Sequence, residues 1–164
     1  MIVTYIQRLG WLVGLMLLQA LVLNNIRVFG YATPFLYVYV VLKMESDVSR
    51  DALMLWGFVL GLGIDIFSDT PGMNAAATTL LAFLRPTLLR AFTPRDLDAF
   101  VPSIKSIGFS SFMKYTVVCV LVHHLTLLSL ELFSFVSWER LLLRIGACAL
   151  FTIICVLSLE GIRK

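Results

Sequence analysis

Long apolar runs separated by short polar segments dominate the amino-acid sequence. A helix needs about 20 consecutive apolar residues to cross the hydrocarbon core of a bilayer, and several of the runs approach that length. The pattern therefore predicts an all-α, polytopic membrane protein that forms a single domain over residues 1–164. Six transmembrane helices are expected, at about residues 9–23, 30–44, 52–67, 73–89, 109–131 and 141–159.

The second and fourth predicted spans have distinctive ends. Pro34 suits the first turn of the second helix, where its missing N–H costs nothing. Aromatic residues crowd the same end and predict a belt at the membrane interface: Tyr31, Phe35, Tyr37 and Tyr39. At the end of the fourth span, apolar side chains alternate with Arg85 and Arg90, which favours an amphipathic segment on the membrane surface.

Composition supports the membrane assignment. The chain is 60% hydrophobic and 14% charged, whereas soluble domains are nearer half apolar and a quarter charged. The net charge of +3 is not gathered into a basic face, which argues against nucleic-acid binding. Cys119, Cys148 and Cys155 all lie within apolar runs, which predicts small buried groups rather than a disulfide framework or a metal site.

Basic residues predict the orientation, because short loops rich in lysine and arginine stay on the cytoplasmic side. With both termini inside, only Arg27, Arg140 and Arg144 of the 13 lysines and arginines lie outside. The sequence therefore predicts an N-in, C-in topology, with lipid around the helices. Asp65 and Asp69 then lie on the outer side.

The stretch from Gly57 to Asn74 carries the most specific pattern. Gly57 and Gly61 form a Gly-x-x-x-Gly face, which lets helices approach closely where hydrophobicity cannot drive their association. Gly10 and Gly14 repeat this spacing in the first predicted helix. All four glycines are predicted to lie at helix-packing or partner interfaces.

Asp65 lies at the edge of the apolar span, where a charge is costly and requires a reason. Asp69, Pro71, Gly72 and Asn74 follow it. Two interpretations stay open for this segment. It is either a polar helix end followed by a turn, whose residue types are those of turns in general, or an interface that binds a partner protein.

Other polar residues lie inside the predicted spans. Gln19 is expected to form a hydrogen bond to a neighbouring helix. His124 and Glu131 are seven residues apart and share a helix face, which is typical of a proton or solute path, or of a polar stripe against another helix. His123 points about 100° away from His124. We identify no catalytic set, metal-ligand spacing or cofactor motif, so the chain is predicted not to be an enzyme.

The central stretch resembles the motif of the rod shape-determining protein MreD family. That family carries Gly-x-x-x-Gly-x-x-x-Asp, then a small polar patch, a Pro-Leu-Gly turn and a histidine or similar residue. Four residues match this motif, namely Gly57, Gly61, Asp65 and Pro71. Gly72 follows the proline directly, and Asn74 stands near the position of the family's histidine. The family's Tyr-Glu pair in the fifth helix is absent, since His123 and His124 occupy that region.

The resemblance implies a non-enzymatic scaffold of the bacterial inner membrane, within the cell-elongation machinery that builds lateral peptidoglycan. Its implied partners are MreC and, through it, the elongation transpeptidase and the RodA glycosyltransferase. The implied fold is that of the substrate-binding subunits of energy-coupling-factor transporters. The alternative function is a solute-binding subunit of a vitamin-type transporter, motivated by that fold and by Asp65, His124 and Glu131.

Overall fold

The computed structural model describes residues 2–26, 33–94, 98–131 and 138–162. Regular structure in these residues is helical, and a short 3₁₀ turn over Leu23–Asn25 follows the first helix. In chain order the helices are α1 (Ile2–Leu21), α2 (Val38–Leu42), α3 (Arg50–Ser68), α4 (Met73–Phe92), α5 (Ile104–Ile107), α6 (Phe109–Glu131) and α7 (Trp138–Ile162).

Within the described residues, three stretches are long and apolar enough to cross a membrane: Arg50–Ser68, Phe109–Glu131 and Leu141–Ile162. The all-helical fold and the multi-pass membrane character are therefore confirmed. The part of the chain that the structure describes therefore has three candidate spans, and the six that were predicted are not shown. The apolar part of the first helical region, Leu9–Asn25, is shorter than these stretches, and α4 carries Arg85 and Arg90 within its last turns.

The predicted second span differs most from the structure. Its start and Tyr31 lie outside the described residues, and the backbone from Thr33 to Leu36 is not helical. Among the described residues of this region, the helix is α2, which has five residues. The prediction of a helix over 30–44 was therefore wrong where it can be compared, and Pro34 precedes the helix instead of opening it.

Side chains from α1 and α7 explain why this segment stays extended. The Gln19 amide donates to Pro34 O at 2.9 Å and accepts from the Leu36 N–H at 2.8 Å. The Phe35 N–H donates to Thr152 Oγ1 at 3.0 Å. Non-helical backbone within a membrane protein is tolerated where protein groups satisfy it. Gln19 therefore bonds to an extended segment and not, as expected, to a neighbouring helix, and it supports a break between helices.

The short helix α2 lies at the centre of the core. Tyr37 and Tyr39 are 0% and 1% exposed, and Val38, Val41 and Leu42 are fully buried. The prediction that these tyrosines form an interfacial belt was wrong, because their hydroxyl groups find partners inside the protein (Asn74 and Glu160, below). A buried tyrosine generally needs such a partner.

Glycines hold α3 and α4 together as an antiparallel hairpin. A Cβ atom on Gly57 would lie 2.9 Å from Thr78 O, and one on Gly61 would lie 2.5 Å from Ala75 Cα. Thr78 Oγ1 lies 2.7 Å from Gly57 O and bonds across the contact. Small residues in lipid allow backbones to approach in this way. Gly57 and Gly61 therefore pack against α4 of the same chain.

The other glycine pair has different surroundings. Gly10 and Gly14 lie on the exposed face of α1, and a Cβ on either would meet nothing within 4 Å. Gly63 of α3, by contrast, lies directly against the Met16 sulfur of α1. A packing role for Gly10 and Gly14 consequently stays a prediction that needs a partner molecule.

The fourth helix continues through Arg85 and Pro86 and ends at Phe92. Arg85 is 1% exposed and Leu89 is buried, while Arg90 is exposed. The predicted amphipathic surface segment was therefore wrong in one respect, because the last turns of α4 pack into the core through Arg85 and Leu89. The partners of Arg85, described below, give the physical reason.

Candidate functional site

Asp65, at the end of α3, caps the N-terminus of α4. Its Oδ1 accepts from the Thr70 hydroxyl, the Asn74 N–H and the Asn74 side-chain amide, each at 2.9 Å. Its Oδ2 accepts from the Ala75 N–H at 2.9 Å. Gly72 occupies the N-cap position and has no side chain to satisfy these two backbone groups. Asp65 supplies that cap from the preceding helix, and its charge favours the positive end of the α4 dipole.

The turn above Asp65 is exposed. Asp69 ends α3 with φ of 53° and Gly72 precedes α4 with φ of 81°, both in the left-handed region. Glycine adopts this region without strain, and aspartate tolerates it. Asp69, Pro71 and Gly72 are exposed, whereas Asn74 is buried. The structure thus divides the predicted motif into an inner bonded part and an outer exposed part.

Asn74 extends the network to α2 and α6. Because its amide nitrogen donates to Asp65, its Oδ1 accepts the Tyr37 hydroxyl proton at 2.7 Å. The Tyr37 oxygen then accepts from His123 Nε2 at 2.9 Å. This order assigns the imidazole proton to Nε2. His123 Nδ1 is left buried, without a hydrogen-bond partner among the described residues.

His124 carries its proton on the other ring nitrogen. Its Nδ1 lies 2.8 Å from Val120 O, and a carbonyl oxygen can only accept. Its Nε2 lies 3.2 Å from Thr152 Oγ1 and accepts from that hydroxyl, whose proton is shared with Cys148 O at 2.8 Å. The adjacent histidines therefore hold opposite tautomers, and Thr152 links His124 to the Phe35 N–H.

Arg85 forms a second polar cluster at the opposite end of α2. Its guanidinium group donates to Tyr115 Oη at 3.1 Å, to Glu45 O at 3.3 Å, to Leu42 O at 3.4 Å and to Met44 O. These carbonyls belong to the end of α2 and the loop after it. Among the described residues, no carboxylate lies within ion-pair distance of Arg85. Carbonyl dipoles thus compensate the charge.

Glu160 joins α7 to α2 and to the start of α5 at this end. It accepts from the Tyr39 hydroxyl at 2.7 Å, forms an ion pair with Lys43 at 3.0 Å, and accepts from the Ile104 N–H at 3.3 Å. The loop after α2 also pairs with the segment before α5, since the Ser46 N–H donates to Phe100 O at 2.9 Å. The network of Asp65, Asn74 and His123 therefore holds the start of α2 through Tyr37, and Arg85 and Glu160 hold its end.

The predicted pair of His124 and Glu131 is not brought together. His124 is fully buried, whereas Glu131 ends α6 at the surface and pairs with Arg144 at 2.8 Å. Seven residues of helix separate the two side chains by about 10 Å along the axis. The described residues contain no group of three or more His, Cys, Asp or Glu close enough to hold a metal ion.

Sequence reasoning missed several members of these clusters: Tyr37, Tyr39, Arg85, Tyr115, Thr152 and Glu160. The signal that could have found them is a charged or polar residue inside an apolar run, which tends to face the protein interior. Arg85 and Glu160 fit that rule. Their partners could not be found in this way, because they lie on other elements that meet Arg85 and Glu160 only in the folded chain.

Comparison with known proteins gave no match, whether against family models, curated proteins or solved structures.

Proposed function

We propose that this chain is a non-enzymatic scaffold of the bacterial cytoplasmic membrane that partners MreC in the cell-elongation machinery. The central motif from Gly57 to Asn74 supports this through its resemblance to the MreD family. The observation that carries the proposal is the environment of Asp65. Both of its oxygens bond to the Thr70–Ala75 segment, so the acid of the motif organises a turn and is not free to bind a solute.

The exposed part of that turn suits a protein partner. Asp69, Pro71 and Gly72 project above a base that Asp65 and Asn74 hold in place. A preorganised surface avoids the entropic cost of ordering a loop on binding. On the outer side, where the basic residues predict it to lie, this turn would meet the membrane-proximal segment of a bitopic partner.

A pull-down of the tagged full chain in mild detergent, followed by mass spectrometry, tests the proposal. We expect to recover MreC, the elongation transpeptidase and RodA. Asp69→Asn removes the exposed charge and keeps the backbone conformation, so MreC recovery should fall at least threefold at unchanged expression. Lys105→Gln, at an exposed position distant in sequence from the turn, is the control and should leave recovery unchanged. Absence of MreC from the unsubstituted sample would refute the proposal.

One observation favours the alternative, a solute-binding subunit of a vitamin-type transporter. His123 Nδ1 is buried without a partner among the described residues, and a solute donor group would satisfy it. In that case the same pull-down would recover an ATPase module and a coupling subunit. The melting temperature would also rise with at least one member of a vitamin panel, and no shift across the panel would eliminate this alternative.

A further inference from the structure

An apolar groove runs along the exposed seam between α3 and α4, on the side where no other described helix covers it. Its volume is about 570 Å³, and its walls include Phe58 and Leu62 of α3 and Leu80 and Phe83 of α4. Small residues such as Ala76 lie between these walls. Thr79 is the polar side chain among the described lining residues, and its hydroxyl already donates to Ala75 O at 2.7 Å.

The dimensions of this α3–α4 groove suit one extended chain. From Gly72 to Phe83 the helix rise of 1.5 Å per residue gives about 16 Å. One leaflet of the hydrocarbon core is about 15 Å deep, half of about 30 Å. The volume lies in the range of small-molecule sites, about 300–1,000 Å³.

One end of the groove carries cations. The Arg50 guanidinium carbon lies 4.8 Å from the centre of the Phe83 ring, and Arg50 Nη2 donates to Thr87 Oγ1 at 3.3 Å. Arg50 is exposed. Arg90, also exposed, lies seven residues after Phe83 and therefore on the same face of α4. A guanidinium group matches the geometry of phosphate oxygens and binds them through paired donors.

We propose that the α3–α4 groove is a specific site for one glycerophospholipid. Its acyl chain lies along the groove between Phe58 and Leu80, and its phosphodiester contacts Arg50. Charge complementarity at the Arg50 end selects this occupant, since an apolar groove alone would accept any hydrocarbon. Asp51 is exposed in the same first turn of α3 and opposes the phosphate. This site is independent of the proposed scaffold function.

Native mass spectrometry of the full chain in micelles containing dioleoylphosphatidylglycerol tests the site. We expect one bound lipid in the unsubstituted protein and at least fivefold less dioleoylglycerol, which has the same chains without the phosphate. Ala76→Trp fills the groove and should lower occupancy at least fivefold, and Arg50→Gln at least threefold. Asp51→Asn removes the opposing charge and should raise occupancy.

Two control variants match these changes. Gly146→Trp adds the same ring at an exposed position with open space, and Lys114→Gln removes the same charge at another exposed position. Both should bind lipid as the unsubstituted protein does, and gel filtration should show all variants folded. Equal occupancy in Ala76→Trp and Gly146→Trp, or equal retention of the two lipids, would overturn the proposal.

Cross-linking in native membranes identifies the occupant directly. A photoreactive benzoylphenylalanine at Leu62, on the exposed wall of the groove, should form an adduct of phospholipid mass. Arg50→Gln should reduce that adduct at least threefold. An adduct with a second copy of the chain or with another protein would show that a protein fills the groove, and absence of any lipid adduct would also contradict the proposal.

Discussion

Single side chains replace backbone hydrogen bonds at the points where this fold departs from regular helices. Gln19 bonds to the extended segment before α2, and Asp65 bonds to the free N–H groups that begin α4. Arg85 bonds to the carbonyls at the end of α2. An unsatisfied backbone group within a membrane costs several kcal/mol. Each of these residues is therefore required by the local path of the chain.

Asp65→Asn should destabilise the protein by about 1–3 kcal/mol, because the amide nitrogen replaces one of the two accepting oxygens and cannot accept a hydrogen bond. Either the Ala75 N–H on Oδ2 or the Thr70 and Asn74 donors on Oδ1 then lose their acceptor. The free energy of unfolding, measured by denaturant titration in micelles, checks this. Asp69→Asn is the matched control and should change stability by less than about 0.5 kcal/mol, since exposed asparagine tolerates the left-handed conformation. Equal effects of the two substitutions would contradict the capping role.

At the scale of elements, the central feature is a helix too short to cross a membrane. α2 has five residues, yet its side chains are nearly all buried, and the neighbouring helices surround it. Isolated helices of this length are not stable, so packing and the bonds at its two ends must hold it. The α3–α4 hairpin provides a rigid wall for α2, because the glycines of α3 let the two helices meet at backbone distance.

Gly61→Ala should destabilise the hairpin by about 1–3 kcal/mol, the usual cost of overpacking. The added Cβ would lie 2.5 Å from both Ala75 Cα and Asn74 O, and backbone atoms cannot move aside as a flexible side chain can. Gly10→Ala is the control, because nothing lies within 4 Å of its added Cβ. It should stabilise α1 by up to about 1 kcal/mol through helix propensity. Unfolding in micelles measures both, and a neutral Gly61→Ala would argue against close contact.

For the whole molecule, Arg85 and Glu160 connect helices that are distant in sequence. Arg85 links α4 to α6 and to the end of α2, while Glu160 links α7 to α2 and to the start of α5. A guanidinium group presents five donors in a fixed arrangement, so it can reach several carbonyls at once. This end of the helix assembly is consequently held by polar bonds and not by apolar packing alone.

Arg85→Lys should destabilise the chain by about 1.5–3 kcal/mol, because an ammonium group cannot reproduce the set of bonds to Tyr115 and the loop carbonyls. Arg90→Lys makes the same change at an exposed position and should have an effect below about 0.5 kcal/mol. Thermal unfolding in micelles would compare the two variants. If Arg85→Lys melted at the same temperature as Arg90→Lys, the proposed link between α2, α4 and α6 would be incorrect.

The helical membrane class, the positions of the long apolar helices and the close packing at Gly57 and Gly61 could be predicted from the amino-acid sequence. These features follow from local properties, namely hydrophobic length and residue size. The predicted span 109–131 agrees with α6, and span 52–67 lies within α3. The orientation, the partner and the role of Gly10 and Gly14 stay predictions.

The conformation of α2 and the pairing of the buried polar residues depend on contacts between segments that are distant in sequence. A run of apolar and aromatic residues over 30–44 is compatible with a spanning helix until Gln19 and Thr152 offer bonds to its backbone. Those residues are distant from the run in sequence, so no periodicity within it can reveal them. Arg85 is buried for the same reason, since the carbonyls that compensate its charge come from another segment.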